Sequence, residues 1–211
     1  MNEVHERALH VLASIGIQVH GEAALALLAD AGCAVDFDAQ VAKVQPQLVT
    51  RCLSTVPREI LLAGRDTSRD RMLVAGGPMY TRNTGGMTHF QDPRSGEVRE
   101  ARLEDVGAYT RLLDGLEHLD FVAPLYPADV TPQVMELEAL ARMFADTTKH
   151  ISVRALDRRS LPFLTKMALA VAGSKEQLRA RPLISFLDAS ISPLQLPEVF
   201  VDALLLGGEY G

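Results

Sequence analysis

The chain has 211 residues, 47% of them hydrophobic, and a formal net charge of −6 at pH 7. That length holds one ordinary domain or a modest two-part arrangement, with ample material for a core. The acidic balance, with an isoelectric point near 5.5 and scattered Lys and Arg, excludes a basic nucleic-acid stripe and a polybasic membrane patch, and it suits a positively charged or zwitterionic small substrate.

In chain order, Asn2 to Ser14 carries apolar residues at helical spacing and Gly16 ends it. A second helix opens at Gly21 or Glu22, runs through Ala31 and is closed by Gly32. Val41 to Val44 is a brief strand. Pro46 starts a third helix as its first residue and Pro57 follows its end near Thr55. These short amphipathic helices predict a helical N-terminal extension over residues 1–58. Residues 59–100 read as β-rich. Ile60-Leu61-Leu62, Met72-Leu73-Val74 and Met79-Tyr80-Thr81 are short apolar strands, and Asp92-Pro93-Arg94-Ser95-Gly96 is a turn between extended flanks. Together they predict a small antiparallel sheet with a hairpin. Gly85-Gly86 marks a place where the backbone turns or a ligand approaches the main chain.

After residue 100 the rhythm changes. Helices are expected over Leu103–Gly115, from a Thr131 cap and Pro132 to about Ala145, from an Asp157 cap to about Ala172, from a Ser174 cap to Arg181, and from Pro197 to about Leu206. Between them, Leu119–Pro124, His150–Arg154 and Leu183–Leu187 are nearly continuous apolar runs, as strands covered on both faces should be. Strand–helix alternation implies parallel pairing. The fold class is therefore α/β. Residues 101–211 are expected to form about the first three βα units of a partial (β/α)8 TIM barrel, too few to close it, and the open sheet edge suggests a homo-oligomer.

Cys33 and Cys52 are the only cysteines; they lack metal-ligand spacing, and buried free thiols are expected. Charged residues interrupt any N-terminal apolar run and no stretch reaches transmembrane length, so a cytoplasmic protein without a membrane partner is expected. His5 and His10 are five apart, where two ligands on one helical face need a spacing of about four, so no metal is expected there. No phosphate loop, dinucleotide fingerprint, nucleophile elbow or CxxC occurs.

In barrel enzymes the working groups lie just past the C-terminal ends of the strands. Those places hold Pro124-Leu125-Tyr126, Arg154-Ala155-Leu156-Asp157 and Asp188-Ala189-Ser190-Ile191-Ser192. Arg154 offers a planar fork suited to a carboxylate, or else a structural ion pair with Asp157 or Asp188. Tyr80, Phe90, Tyr126 and Phe186 are either faces for a methylated ammonium or core residues. His89 is either near a ligand or solvent-exposed, and His118 and His150 look structural. Lys149 stands at the start of its strand, the wrong end for a Schiff-base lysine. No catalytic residue emerges. The substrate-binding candidates are Tyr80, Gly85, Gly86, Arg154, Asp188, Ser190 and Ser192.

A set of motifs recurs in order: Ala63-Gly64-Arg65-Asp66, Asp70, Gly76-Gly77-Pro78-Met79-Tyr80, Gly85-Gly86, Asp92 to Glu97, Thr147-Thr148-Lys149, Ser185-Phe186 and Ser192-Pro193-Leu194. In these the chain resembles the trimethylamine methyltransferase family over its whole length. The resemblance implies methyl transfer from a methylated or quaternary amine, trimethylamine or betaine-like, to the cobalt of a corrinoid (cobalamin) carried by a separate corrinoid protein, with no cofactor bound covalently. Members of that family are roughly twice this long and fold as eight-stranded barrels, so the resemblance places this chain as an N-terminal portion. The alternative is a catalytically inactive remnant that serves as an interaction or oligomerisation module.

Overall fold

The computed structural model describes residues 2–210. Their elements in chain order are α1 (Asn2–Ser14), β1 (Ile17–Val19), α2 (Glu22–Asp30), β2 (Ala34–Asp36), β3 (Val41–Lys43), α3 (Pro46–Thr55), β4 (Glu59–Leu62), a 3-10 turn (Thr67–Arg69), β5 (Arg71–Val74), β6 (His89–Gln91), β7 (Val98–Glu100), α4 (Leu103–Gly115), β8 (Phe121–Val122), α5 (Met135–Asp146), β9 (His150–Val153), α6 (Leu161–Ala172), α7 (Lys175–Ala180), β10 (Ile184–Phe186), β11 (Gln195–Leu196) and α8 (Glu198–Tyr210). The chain divides into two compact units, Met1–Pro57 with Asp188–Gly208, and Arg58–Leu187 with Glu209–Gly211.

The first unit holds a four-stranded sheet of order β11-β1-β3-β2. β1 runs antiparallel to β3 and parallel to β11, with Gln18 opposite Gln195 and Val19 opposite Leu196. Helix α2 buries Ala24 and Leu25, which form a core with Val19, Ala42 and Val201. Residues 1–58 were expected to be helical apart from Val41–Val44, so β1, β2 and the late return of β11 are additions. Strands of two or three residues carry too little alternation to show a period of two. Cys33 is buried, but Cys52 lies exposed on α3, against the expectation for both thiols.

The second unit is built on a parallel sheet of order β10-β9-β8. Ile151 stands opposite Val122 on one side and Ile184 on the other. All four residues of β9 are buried, because it is the middle strand of the three. Helices α4, α5 and α6 supply Val106, Leu113, Leu140, Met143 and Leu164 to the same core. The strands β4–β5 and β6–β7 are two separate antiparallel pairs rather than one sheet. Two helices start later than their caps suggest. Thr131–Val134 closes a turn through Val134 N–H to the Thr131 carbonyl at 3.0 Å, so α5 begins at Met135. Asp157–Ser160 closes another, at 2.9 Å, and α6 begins at Leu161.

The N-terminal ends of the parallel strands are closed by the segment before the 3-10 turn. Arg65 N–H donates to the Thr148 carbonyl at 2.8 Å, and its guanidinium donates to the Thr147 carbonyl at 2.8 Å. Asp70 accepts from the Gly64 amide at 2.9 Å and from both arms of the Arg181 guanidinium at 2.7 and 2.8 Å. The arginine holds the Asp70 carboxyl below its ordinary range. Lys149 is buried and donates to the carbonyls of Leu113 and Leu116 at 2.7 and 2.8 Å, satisfying the end of α4 with a cation where the helix dipole favours one. Burial pulls the Lys149 ammonium below its ordinary value. The motifs Ala63–Asp66, Asp70 and Thr147–Lys149 are thus hydrogen-bonded to one another and to α4 and Arg181.

Candidate functional site

At the other end of the parallel strands the chain from Thr81 to Thr88 lies along β8. Arg82 bridges Phe121 and Met87 bridges Leu125, both in parallel sense. The Asn83 side-chain amide brackets Ala123: its oxygen accepts from the Ala123 N–H at 2.8 Å and its nitrogen donates to the Ala123 carbonyl at 2.9 Å. Gly86 N–H donates to the Pro124 carbonyl at 2.9 Å, and Tyr126 N–H to the Met87 carbonyl at 2.8 Å. At Gly85 the two backbones meet with no room for a side chain.

Gly85 and Gly86 are required for different reasons. A Cβ on Gly85 would stand 2.6 Å from the Ala123 Cβ, whereas carbon atoms pack at about 3.5–4.0 Å. Gly86 has open space, but its φ is +82°, which an L side chain adopts at a cost of about 1 kcal/mol. Gly85→Ala is therefore expected to lift the segment from β8 and raise amide exchange at Gly86 and Tyr126 by about tenfold or more, and Gly86→Ala by less, given overpacking penalties of about 1–3 kcal/mol. Equal exchange in the two variants would contradict this.

The rim beyond β8 and β9 is joined through Tyr126, which is buried and whose hydroxyl donates to the Arg154 carbonyl at 3.0 Å. Arg154 follows β9 directly and is exposed. Asp157, one of its two anticipated partners, forms its ion pair with Arg159 at 2.5 Å, and among the described residues no ion pair or hydrogen bond engages the Arg154 guanidinium. The fork of Arg154 thus stands in solvent at the end of a fully buried strand.

Behind it lies a residue that sequence reasoning did not single out. Glu136, in the first turn of α5, is 6% exposed. Its Oε1 accepts from the Leu156 N–H, and its Oε2 is hydrogen-bonded to the Ser160 hydroxyl. The Asp157 amide also bonds to this carboxyl. Ser160 Oγ lies 2.7 Å from the Asp157 carbonyl as well. The Ser160 hydroxyl thus has two acceptors within reach, the carboxyl and the Asp157 carbonyl. Burial pushes the Glu136 carboxyl above its ordinary value. Nothing in the sequence marked Glu136, since an acid in a first helical turn is usually a solvated partner of the dipole.

The other candidates are distributed as follows. Tyr80 is half-buried and faces the Arg71 guanidinium at 5.9 Å; it precedes Thr81, whose N–H donates to Asp120 at 2.8 Å, so it lies at the opposite end of β8 from Gly86. Phe90 faces the Arg99 guanidinium at 5.2 Å, and Phe186 packs on the core of the second unit. Asp188, Ser190 and Ser192 belong to the first unit, where the two serines are exposed. His89 is exposed, with Nδ1 at 3.1 Å from the Thr88 hydroxyl. Two open cavities of about 300 Å³ occur in the second unit. The one lined by Arg99 to Arg102, Ala128 and Asp129 has its Arg99 bonded to both oxygens of Asp105, and the one lined by Gly64, Arg65, Arg181 and Leu183 has both arginines engaged in the contacts above. Among the described residues no three His, Cys, Asp or Glu side chains stand so as to hold a metal ion, and no helix is long and apolar enough to cross a membrane.

Comparison with known proteins gives a consistent picture. The family model described as trimethylamine methyltransferase (MTTB) matches residues 1–207. The chain is 31% identical to the trimethylamine methyltransferase MttB of Desulfitobacterium hafniense, over 99% of this chain and 42% of that protein. It is 25% identical to the trimethylamine methyltransferase MttB of Methanosarcina barkeri, and 23% identical to a glycine betaine methyltransferase of Desulfitobacterium hafniense, in each case over all of this chain and 44% of the relative. The chain thus spans less than half the length of these curated relatives. With the family model matched over nearly every residue, this chain belongs to the trimethylamine methyltransferase family.

Proposed function

We propose that the chain is part of a methyltransferase that moves a methyl group from a methylated or quaternary amine to the cobalt of a corrinoid held by a separate corrinoid protein. In that reaction the C–N bond breaks with its electron pair remaining on nitrogen, and the corrinoid takes the methyl group as the second substrate. The three parallel strands would be βα units of a larger (β/α)8 barrel, with the Gly85-Gly86 segment along the edge of the first. The protein would work in the cytoplasm as a homo-oligomer, and the edge of β10 that has no neighbour among the described residues would take the next strand of such a barrel or a strand of a second copy.

The observation that carries the finer reading is Arg154. It combines an exposed guanidinium, a main chain fixed by Tyr126, and a position just past a buried parallel strand. Such a fork binds a carboxylate through two charge-assisted hydrogen bonds. This favours a betaine-like substrate, which carries a carboxylate beside its quaternary nitrogen, over trimethylamine, which has none. The test follows the cobalt absorption spectrum of a reduced corrinoid protein on addition of the chain and glycine betaine, with a full-length relative run in parallel. Methylation of cobalt that falls at least tenfold in Arg154→Ala is expected, the loss that about 1.5–3 kcal/mol of charged hydrogen bonding implies. A relative that methylates while this chain leaves the spectrum unchanged would instead support a non-catalytic interaction module.

A further inference from the structure

The buried Glu136 has no part in the chemistry proposed above, yet it is placed against the segment that carries Arg154. Arg154 is followed by Ala155 and then by Leu156, whose N–H is received by Glu136. Ser160, at the far end of the same loop, is hydrogen-bonded to the second carboxyl oxygen. On the near side the Tyr126 hydroxyl holds the Arg154 carbonyl at 3.0 Å. The loop is therefore fixed at both its ends and next to the arginine, by a side chain from α5 and one from the rim beyond β8. A free surface loop needs no such support. A loop whose arginine must meet a planar anion at fixed distance and angle does, because small errors of placement remove one of the two hydrogen bonds.

We infer that Glu136 is a positioning residue, which sets the loop from Arg154 to Ser160 so that the Arg154 guanidinium is presented to the carboxylate of the substrate. The inference rests on the reading of Arg154 as a carboxylate anchor. Glu136 itself does not touch the ligand. Its effect should therefore be confined to ligands that bear a carboxylate and should spare those that carry only the methylated nitrogen.

Calorimetric titration of the chain with glycine betaine and, separately, with tetramethylammonium tests this. Glu136→Leu keeps an apolar filling of similar size and removes both acceptors. It should weaken glycine betaine about tenfold, the equivalent of roughly one lost charge-assisted hydrogen bond, and tetramethylammonium less than about twofold. Amide exchange at Leu156 to Ser160 should rise in the same variant without ligand. Ser160→Ala, which keeps the carboxyl, should change both readouts in the same direction by a smaller factor, and it decides the matter if Glu136→Leu does not fold. An equal loss for both ligands would show a merely structural role and overturn the inference. So would unchanged glycine betaine binding in both variants while Arg154→Ala binds it poorly. If Arg154→Ala binds glycine betaine as tightly as the unaltered chain, the carboxylate reading itself falls, and the inference falls with it.

Discussion

Acidification from about pH 7.5 to pH 4 is expected to remove about 3 kcal/mol of the stability of the second unit through one residue, His150. The ring is 1% exposed, between the carbonyls of Ala63 and Pro182, 3.2 and 3.1 Å from Nδ1, and the Ser185 hydroxyl, 2.9 Å from Nε2. Carbonyls only accept, so Nδ1 carries the proton and Nε2 accepts from Ser185. A second proton would bury a charge, and that desolvation brings the His150 pKa down to about 4. With the unfolded value near 6.5, the unfolded chain binds the extra proton first. The stabilisation is complete above that value and is lost as the pH falls toward about 4. Asp70 and Asp105, held low by arginines, begin to lose theirs only below about pH 5 and lose most of it below this window. Asp114 and Asp120 do the same, because hydrogen bonds outweigh the rise that burial would cause. Glu136 acts oppositely within the window, since a raised carboxyl gains stability as it takes its proton. Urea midpoints of the unaltered chain and of His150→Gln separate the two: between pH 7.5 and about pH 5, above the range where the low carboxylates begin to protonate, the variant should show a flat slope. All four tyrosines, 80, 109, 126 and 210, lie in the second unit and there is no tryptophan, so the tyrosine band of the near-ultraviolet circular dichroism spectrum reports on that unit. A slope in His150→Gln as steep as in the unaltered chain would overturn the assignment.

The parts of the fold that were legible in the sequence are those whose residues share one environment along a run. β8, β9 and β10 stand out because each is an apolar stretch between helices, and parallel strands covered on both faces need that. The four-stranded sheet of the first unit was not legible. Val19 pairs with Leu196, far along the chain, and neither segment is long enough to show alternation. The late starts of α5 and α6 have a local cause: Thr131 and Asp157 are good caps, but each closes a single turn before its helix. In the site, Arg154 could be placed because it terminates a strand. Tyr80, an aromatic face for a methylated ammonium, and Gly85, a place of close backbone approach, were both substrate-binding candidates, yet an extended segment parallel to β8 carries them to opposite ends of that strand. Glu136 escaped because its burial depends on Leu156 and Ser160, which reach it only through the packing of α5 beside α6.

Replacing Gly64 with alanine is expected to destabilise the second unit by about 3 kcal/mol, at the upper end of overpacking effects. Its φ is unremarkable; the obstacle is space. A Cβ there would stand 2.6 Å from the Thr148 carbonyl oxygen and 2.9 Å from the Asp66 carbonyl oxygen. Both are main-chain atoms, and neither can yield as a side-chain tip would. Thr148 is held by the Arg65 N–H at 2.8 Å and by Asp114, which accepts from the Thr148 amide at 3.0 Å. Asp66 is held by its own turn through Ser68. To admit the methyl group the backbone at Gly64 must withdraw, which breaks the Gly64 N–H bond to Asp70 and weakens the hold of Arg181 on both. Gly115→Ala is the control, since no atom lies within 4 Å of its Cβ position at the end of α4. Alanine is the better helix former by about 1 kcal/mol, so that variant should be neutral or slightly more stable. If Gly64→Ala melts with Gly115→Ala, the contact that closes the N-terminal ends of β8, β9 and β10 is looser than its hydrogen bonds imply.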